Sequence, residues 1–349
     1  MGYQINYDKM EEVLTKLKER YSIYAPKQQG NAIGNEMIRY NEINSIHEIV
    51  HNKKANFSPK EVFYPIIQSL LYFKEGTCTE SELKQEKDIL IFARPCDING
   101  IKRLDQIFLK NGGQADNFYQ RRRDRVKLVL MECSESWETC FCVSMGTNQT
   151  EDYSLAIKFK EDGVEVEAKD EELAAYFTTE SPTNYQPAFV MENEKKVQIP
   201  KITNRSQVKD IIALDYWRQF DDTCIGCGGC NTTCISCSCF DTVDVIYDET
   251  SMEGERRRVW SSCMLKDFTT MAGGHSVRSR AGDRMRFKAL HKFYDYNYRF
   301  DLADHMCVGC GRCDMRCPKE IRFSEVINGL SEAVEQLKAS AGKETKTDE

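Results

Sequence analysis

Four cysteines, Cys307, Cys310, Cys313 and Cys317, fall within the stretch HMCVGCGRCDMRCPKE (305–320). A second run, DDTCIGCGGCNTTCISCSCF (221–240), repeats the spacing at Cys224, Cys227, Cys230 and Cys234. No other feature of the 349-residue chain constrains its fold as strongly. Two-residue gaps let three consecutive thiolates wrap one object in a tight loop. Gly309 and Gly311 in one run, and Gly226, Gly228 and Gly229 in the other, let the backbone approach closely and turn amides towards sulfur.

The spacing C-x2-C-x2-C-x3-C, closed by Pro318, is the bacterial ferredoxin run for [4Fe–4S] clusters, in which the fourth cysteine serves the other cluster. The expected ligand sets are therefore Cys224, Cys227, Cys230 and Cys317 for cluster 1, and Cys307, Cys310, Cys313 and Cys234 for cluster 2. Ile235 stands where the second run lacks its proline. Proline shapes the exit of the chain but donates no ligand, so the set is unaffected. Structural zinc uses two separated CxxC pairs, whereas each run here supplies four thiols by itself. No CxxC is followed by histidine, which removes haem attachment. Sirohaem-linked clusters use C-x5-C and C-x3-C spacings, both hidden inside these runs, but the intervening Cys227 and Cys310 favour the plain ferredoxin reading.

Sixteen cysteines in a secreted chain would indicate disulfides. The N-terminal MGYQINYDKMEEVL is polar, with no apolar export segment, so the expectation is a cytoplasmic protein whose thiols bind metal. The most apolar run, 62–73, is short and broken by Pro65 and Gln68, so direct membrane insertion is not expected. With 55 acidic and 48 basic residues the net charge is −7, which argues against a nucleic-acid partner.

Length predicts about two domains. The runs DILIFA (88–93) and VKLVLM (126–131) read as strands that each end near a cysteine, delivering thiols to one sheet edge. Between them Ile101, Leu104, Ile107 and Phe108 form a helical face that stops at Gly112 and Gly113. Residues 153–168 read as a hairpin turning at Asp162 and Gly163. A helix from Gln207 to about Phe220, capped by Ser206, leads into the first run. Further helices open at Asp283 and Ser324. The expected fold is α+β: a mixed α/β domain (1–205), then a ferredoxin-like domain holding two [4Fe–4S] clusters with a long insertion and helices (206–338), then a flexible tail (339–349).

Eight cysteines lie outside the two runs. Cys96 in ARPCDING, with Cys133, Cys140 and Cys142 in MECSESWETCFC, sit at the ends of neighbouring expected strands and form a possible third [4Fe–4S] site. Buried structural cysteines or a redox disulfide are the alternatives. Cys237, Cys239 and Cys263 lack an obvious fourth thiol and read as packing around the clusters; Cys78 is isolated. Cys234 and Cys307 stand 73 positions apart, and the segment between them contains the basic stretches MEGERRRVWSSC and AGGHSVRSRAGDRMRFKALHKF. They read either as a solvated or cluster-shielding face, or as a dock for an acidic partner. The five histidines make no H-x3-H pattern, and there is no GxGxxG, P-loop, G-x-S-x-G or HExxH. The chain carries electrons but shows no substrate or nucleotide site of its own.

ARPCDINGIKRLD, CFCVSMGT, CIGCGGC, RRRVWSSCM with AGGHSVR, and CVGCGRCDMRCP occur in this order. From about residue 90 to 322 the chain thereby resembles the iron–sulfur electron-transfer subunits of the anaerobic sulfite reductase family, and the related β subunits of cytoplasmic sulfhydrogenases. The resemblance implies a cytoplasmic electron-transfer component of an oxidoreductase complex. Its partners would be a flavin subunit that oxidises NADH and a sirohaem subunit that reduces sulfite to sulfide. The hydrogenase branch, with a nickel-iron partner, is the alternative.

Overall fold

The computed structural model describes residues 2–30, 36–83, 87–178 and 180–344. Its strands are β1 (Gly2–Asn6), β2 (Tyr21–Gly30), β3 (Glu36–Glu42), β4 (Ile67–Lys74), β5 (Thr77–Glu80), β6 (Asp88–Ala93), β7 (Val126–Met131), β8 (Leu155–Phe159), β9 (Gly163–Ala168), β10 (Ser181–Thr183), β11 (Phe240–Asp248) and β12 (Glu253–Trp260). Eight of them form one sheet in the order β10-β1-β9-β8-β7-β6-β2-β3. Its centre is parallel: β2 with β6, β6 with β7, and β7 with β8. Sequences such as ILIFA and VLM are apolar on both faces, as strands covered on both sides must be. The hairpin β8–β9 is antiparallel and turns at Asp162 and Gly163, as its sequence predicts.

One sheet face packs on the helix Tyr7–Arg20 through Met10, Val13, Leu14 and Leu17. The other packs on the helix Pro95–Lys110 through Ile98, Ile101, Leu104 and Phe108, a helical spacing of buried residues; Ile107 is only partly buried. This helix starts at Pro95, whose fixed φ suits a first helical turn, so Cys96 lies at its N-terminus.

A second sheet, β11-β12-β4-β5, joins two distant parts of the sequence. The hairpin β11–β12, from the long insertion between the cysteine runs, pairs antiparallel with β4 from the N-terminal half. The cores interlock as well, since Ile235, Val308 and Cys310 pack with Ile98, Ile101 and Leu130.

The helix expected over 207–220 is divided. Arg205–Ala213 is capped by Asn204, whose side chain accepts from the Gln207 amide, rather than by Ser206. Leu214 then leaves helical geometry, and short turns at Asp215–Arg218 and Gln219–Thr223 carry the chain to Cys224. The helix Ala281–Leu290 continues through a π-helical turn, His291–Asp295. The C-terminal helix spans Phe323–Glu344, so the first residues of the expected tail are helical; 345–349 lie outside the described residues. Among the described residues no helix is long and apolar enough to cross a membrane.

Candidate metal centres

The carboxyl ends of adjacent parallel strands build the first centre. β6 runs into Arg94, Pro95 and Cys96, and β7 into Cys133, which bridges in register with Phe189. A loop then returns Cys140 and Cys142, and the four thiols line one cavity with Lys54, Trp137, Asn193 and Arg312. The open side of a parallel sheet's carboxyl edge is where such folds receive ligands. The Arg94 guanidinium lies 4.7 Å from the Trp137 ring and donates to the Glu132 carbonyl at 2.6 Å, closing the cavity wall. Burial pushes the Cys96 thiol well up, and burial with the neighbouring Cys140 pushes Cys142 up to about 12. As bare thiols these groups stay protonated; as metal ligands they surrender their protons to the metal.

Cys224, Cys227, Cys230 and Cys317 line a second cavity, with Gly226, Gly228, Met264, Met285 and Lys288. Cys313 reaches the same wall. The loop needs its glycines: Gly226 and Gly228 have φ of 67° and 72°. Burial raises the Cys224 thiol, opposed by the Gly226 amide, which donates to its sulfur. Cys227 is exposed, so this centre opens to the surface.

Cys307, Cys310 and Cys313 form the third group, with Cys234 near Cys307 and Cys310. Burial pushes Cys307 up to about 12, against the Lys292 ammonium and the Gly309 amide on its sulfur. Cys310 is raised by burial, while the Arg312 amide on its sulfur opposes the shift. The same Cys310 also acts on Cys96, while Cys313 reaches the second cavity, so this group stands between the other two.

Two contacts lock it there. The Phe141 amide donates to the Gly309 carbonyl at 2.8 Å, and Thr147 Oγ1 to the Val308 carbonyl at 2.6 Å. Arg312 forms a two-pronged ion pair with Asp97, Nη2 to Oδ2 at 2.9 Å, both side chains fully enclosed. Ile235, fully buried in place of the expected proline, packs directly on Gly100, where any Cβ would collide with it.

Cys237 and Cys263 are buried and Cys239 is partly buried. Cys237 contacts Cys234, and Cys239 contacts Cys263. The Asn231 side-chain amide donates to Cys263 Sγ at 3.1 Å. The hydrogen bond from Cys263 lowers Cys239 to about 6. Cys78 lies exposed on β5.

The basic insertion is distributed between surface and interior. Arg256 pairs with Asp244 at 2.7 Å on the surface. Arg258 is buried against Asp116 and Gln68. Arg284 donates to the carbonyls of Met264, Arg278 and Ser279. Lys288 and Lys292 are 2% exposed and reach cysteine sulfurs.

The donor chemistry fits iron–sulfur clusters. Among the described residues no three His, Cys, Asp or Glu side chains are disposed to hold a single ion. Two of the thiol groups line cavities, as a multi-iron group requires and a tetrahedral zinc does not. Residues 223–321 match the family model of the 4Fe-4S dicluster domain. This chain binds [4Fe–4S] clusters. It is 29% identical over 339 residues to the sulfhydrogenase 2 subunit beta of Pyrococcus furiosus, an alignment covering 93% of this chain and 96% of the relative. No solved structure matches.

Several residues at these centres are not visible in the sequence. Lys54, Asn193, and the pair Asp97–Arg312 come from segments distant in sequence, and nothing in their local spacing marks them. Lys288 and Lys292, four apart on one helical face, are legible as a pair. What the pattern does not say is which way that face points.

Proposed function

We propose that this chain is the electron-transfer subunit of an anaerobic sulfite reductase, relaying electrons from an NADH-oxidising flavin subunit to a sirohaem subunit that reduces sulfite to sulfide in the cytoplasm. The single observation that carries the relay is the continuity of the thiol groups. Cys96, which lines one cavity with Cys133, Cys140 and Cys142, neighbours Cys310, and Cys313 borders the cavity of Cys224, Cys227, Cys230 and Cys317. The choice of partners is supported by the five ordered motifs from ARPCDINGIKRLD to CVGCGRCDMRCP.

In this reading Cys224, Cys227, Cys230 and Cys317 hold one cluster, Cys307, Cys310, Cys313 and Cys234 a second, and Cys96, Cys133, Cys140 and Cys142 a third. When bound, each cluster supplies a one-electron couple, which lets a two-electron donor feed a six-electron reduction. The protein's part is to hold and tune. Cysteines fix the sites, the amides of Gly226, Gly309 and Arg312 place hydrogen bonds on sulfur, and the enclosed Asp97–Arg312 pair keeps the middle loop seated. The exposed Cys227 makes the cavity of Cys224 to Cys317 the natural exchange point with a partner.

Anaerobic purification with co-purifying subunits tests the reading. About twelve iron atoms per chain are expected for three clusters, and about eight would remove the third. Cys310→Ser should abolish NADH-driven sulfite reduction by the complex, while the sirohaem subunit still works with an artificial low-potential donor. Full NADH-linked activity in that mutant would overturn the relay.

The name of the Pyrococcus furiosus relative supports a second reading, the electron-transfer β subunit of a nickel-iron sulfhydrogenase. A nickel-iron protein in the purified complex would select it; a sirohaem protein would select the first.

A further inference from the structure

We propose that three lysines, Lys54, Lys288 and Lys292, each place an ammonium beside the thiol groups and set the reduction potentials of the clusters held there. The proposal rests on the ligand sets given above. Lys54 Nζ lies 3.4 Å from Cys140 Sγ and 2.9 Å from Thr139 Oγ1. Lys292 Nζ lies 3.5 Å from Cys234 Sγ and 3.2 Å from Ser236 Oγ. Lys288 lines the same cavity wall as Cys224, Cys227, Cys230 and Cys317, and its ammonium lies 4.4 Å from the Phe323 ring.

The helix Ala281–Leu290 and its π-helical continuation deliver two of the three. Lys288 and Lys292 are one turn apart on the inner face, while His291 and Asp295 pair at 2.8 Å towards the surface. Both lysines are 2% exposed. A buried ammonium is costly without a counter-charge. Here that charge would come from the thiolates of a bound cluster: Cys230 and Cys313 beside Lys288, and Cys234, Cys307 and Cys313 beside Lys292.

A cluster with four thiolates is anionic and gains one more negative charge on reduction. A fixed cation against its sulfur stabilises the reduced form more than the oxidised one, which raises the potential. The three positions differ in reach. Lys54 bonds Cys140 of the Cys96–Cys142 group and acts at longer range on Cys310, whereas Lys292 bonds Cys234 of the Cys234–Cys313 group. Lys288 stands between Cys230 and Cys313 and acts on two groups at once.

Redox titration of the anaerobically purified full-length holoprotein, followed by electron paramagnetic resonance, reads this directly. Lys54→Met and Lys292→Met are each expected to lower one couple most, and not the same one. The one-electron reduction constant should fall at least about tenfold, equivalent to about 59 mV. Lys288→Met is expected to lower two couples, one of them the couple moved by Lys292→Met. The Lys→Arg variants keep the charge and should return each couple to within about threefold of wild type.

Couples that stay in place in the methionine variants, a uniform shift of all couples by every variant, or arginine variants that behave like methionine overturn the proposal. Loss of iron from a methionine variant overturns it for that position, since the lysine then serves assembly. Wild-type protein with far fewer than about eight iron atoms would instead refute the ligand sets themselves.

Discussion

Arg312 reaches out of the Cys307–Cys317 loop into the N-terminal half, where Asp97 binds it on both prongs, Tyr40 donates to Asp97 at 3.0 Å, and the Ala55 carbonyl accepts from its Nε at 3.0 Å. Removing one partner of an enclosed pair leaves the other charge uncompensated. Asp97→Asn is therefore expected to cost about 3–5 kcal/mol in anaerobic urea unfolding. A change below about 1 kcal/mol, within the range of ordinary surface substitutions, would show the pair adds little. Gly309 combines a φ of 63° with a backbone that meets Phe141 O at 2.5 Å from any added Cβ. Gly309→Ala should separate the loop from Cys142 and lower the iron content; unchanged iron and unchanged visible absorbance would contradict this. The glycines and cysteines are legible in the sequence because their spacing is itself the chemistry. Asp97 is legible only as part of ARPCDING, because its partner lies 215 residues away.

Among the elements, the strands and the β8–β9 hairpin are readable because they are short, apolar and bounded by turn residues. The division at Leu214 and the role of Asn204 are not: both Asn204 and Ser206 are good capping types, and only the fold decides which one caps. Pairing of β11–β12 with β4 is also beyond reach, since cross-strand partners almost two hundred residues apart leave no periodic trace.

Lys127 lies on β7. Lys127 bonds Asp170 at 2.7 Å and Glu172 at 3.0 Å. These bonds outweigh burial and raise the ammonium from 10.5 to about 12. A raised lysine contributes its full stability below pH 10.5, and that contribution is lost as pH rises through about 12. Wild type should be more stable than Lys127→Met at pH 9, and thermal unfolding curves of the two should converge towards pH 12. A constant difference across that window would place the stabilisation elsewhere.

Over the whole molecule, the α+β class and the dicluster region are evident from the sequence, whereas the way the halves share a core is not. We treat the expected division at residues 205 and 206 as two packed units, with Ile235, Val308 and Arg312 of the second seated in the first. A fragment beginning at residue 206 is therefore expected to retain fewer than about eight iron atoms after anaerobic isolation. A fragment with its full complement would show that the second unit stands alone. Hydrophobic periodicity identifies faces, but it does not say which faces meet.

The sheet that unites β11–β12 with β4–β5 bears on how the polypeptide matures. Its two contributing segments emerge from the ribosome far apart in time, and closing so long a loop is slow compared with local folding. Until residue 260 has been synthesised, the thiols at 224–239 lack this scaffold, and those at 307–317 do not yet exist. Metal loading of the dicluster region thus belongs to the end of biosynthesis, and a ribosome stalled before that point leaves a nascent chain whose sulfur is open to oxidants.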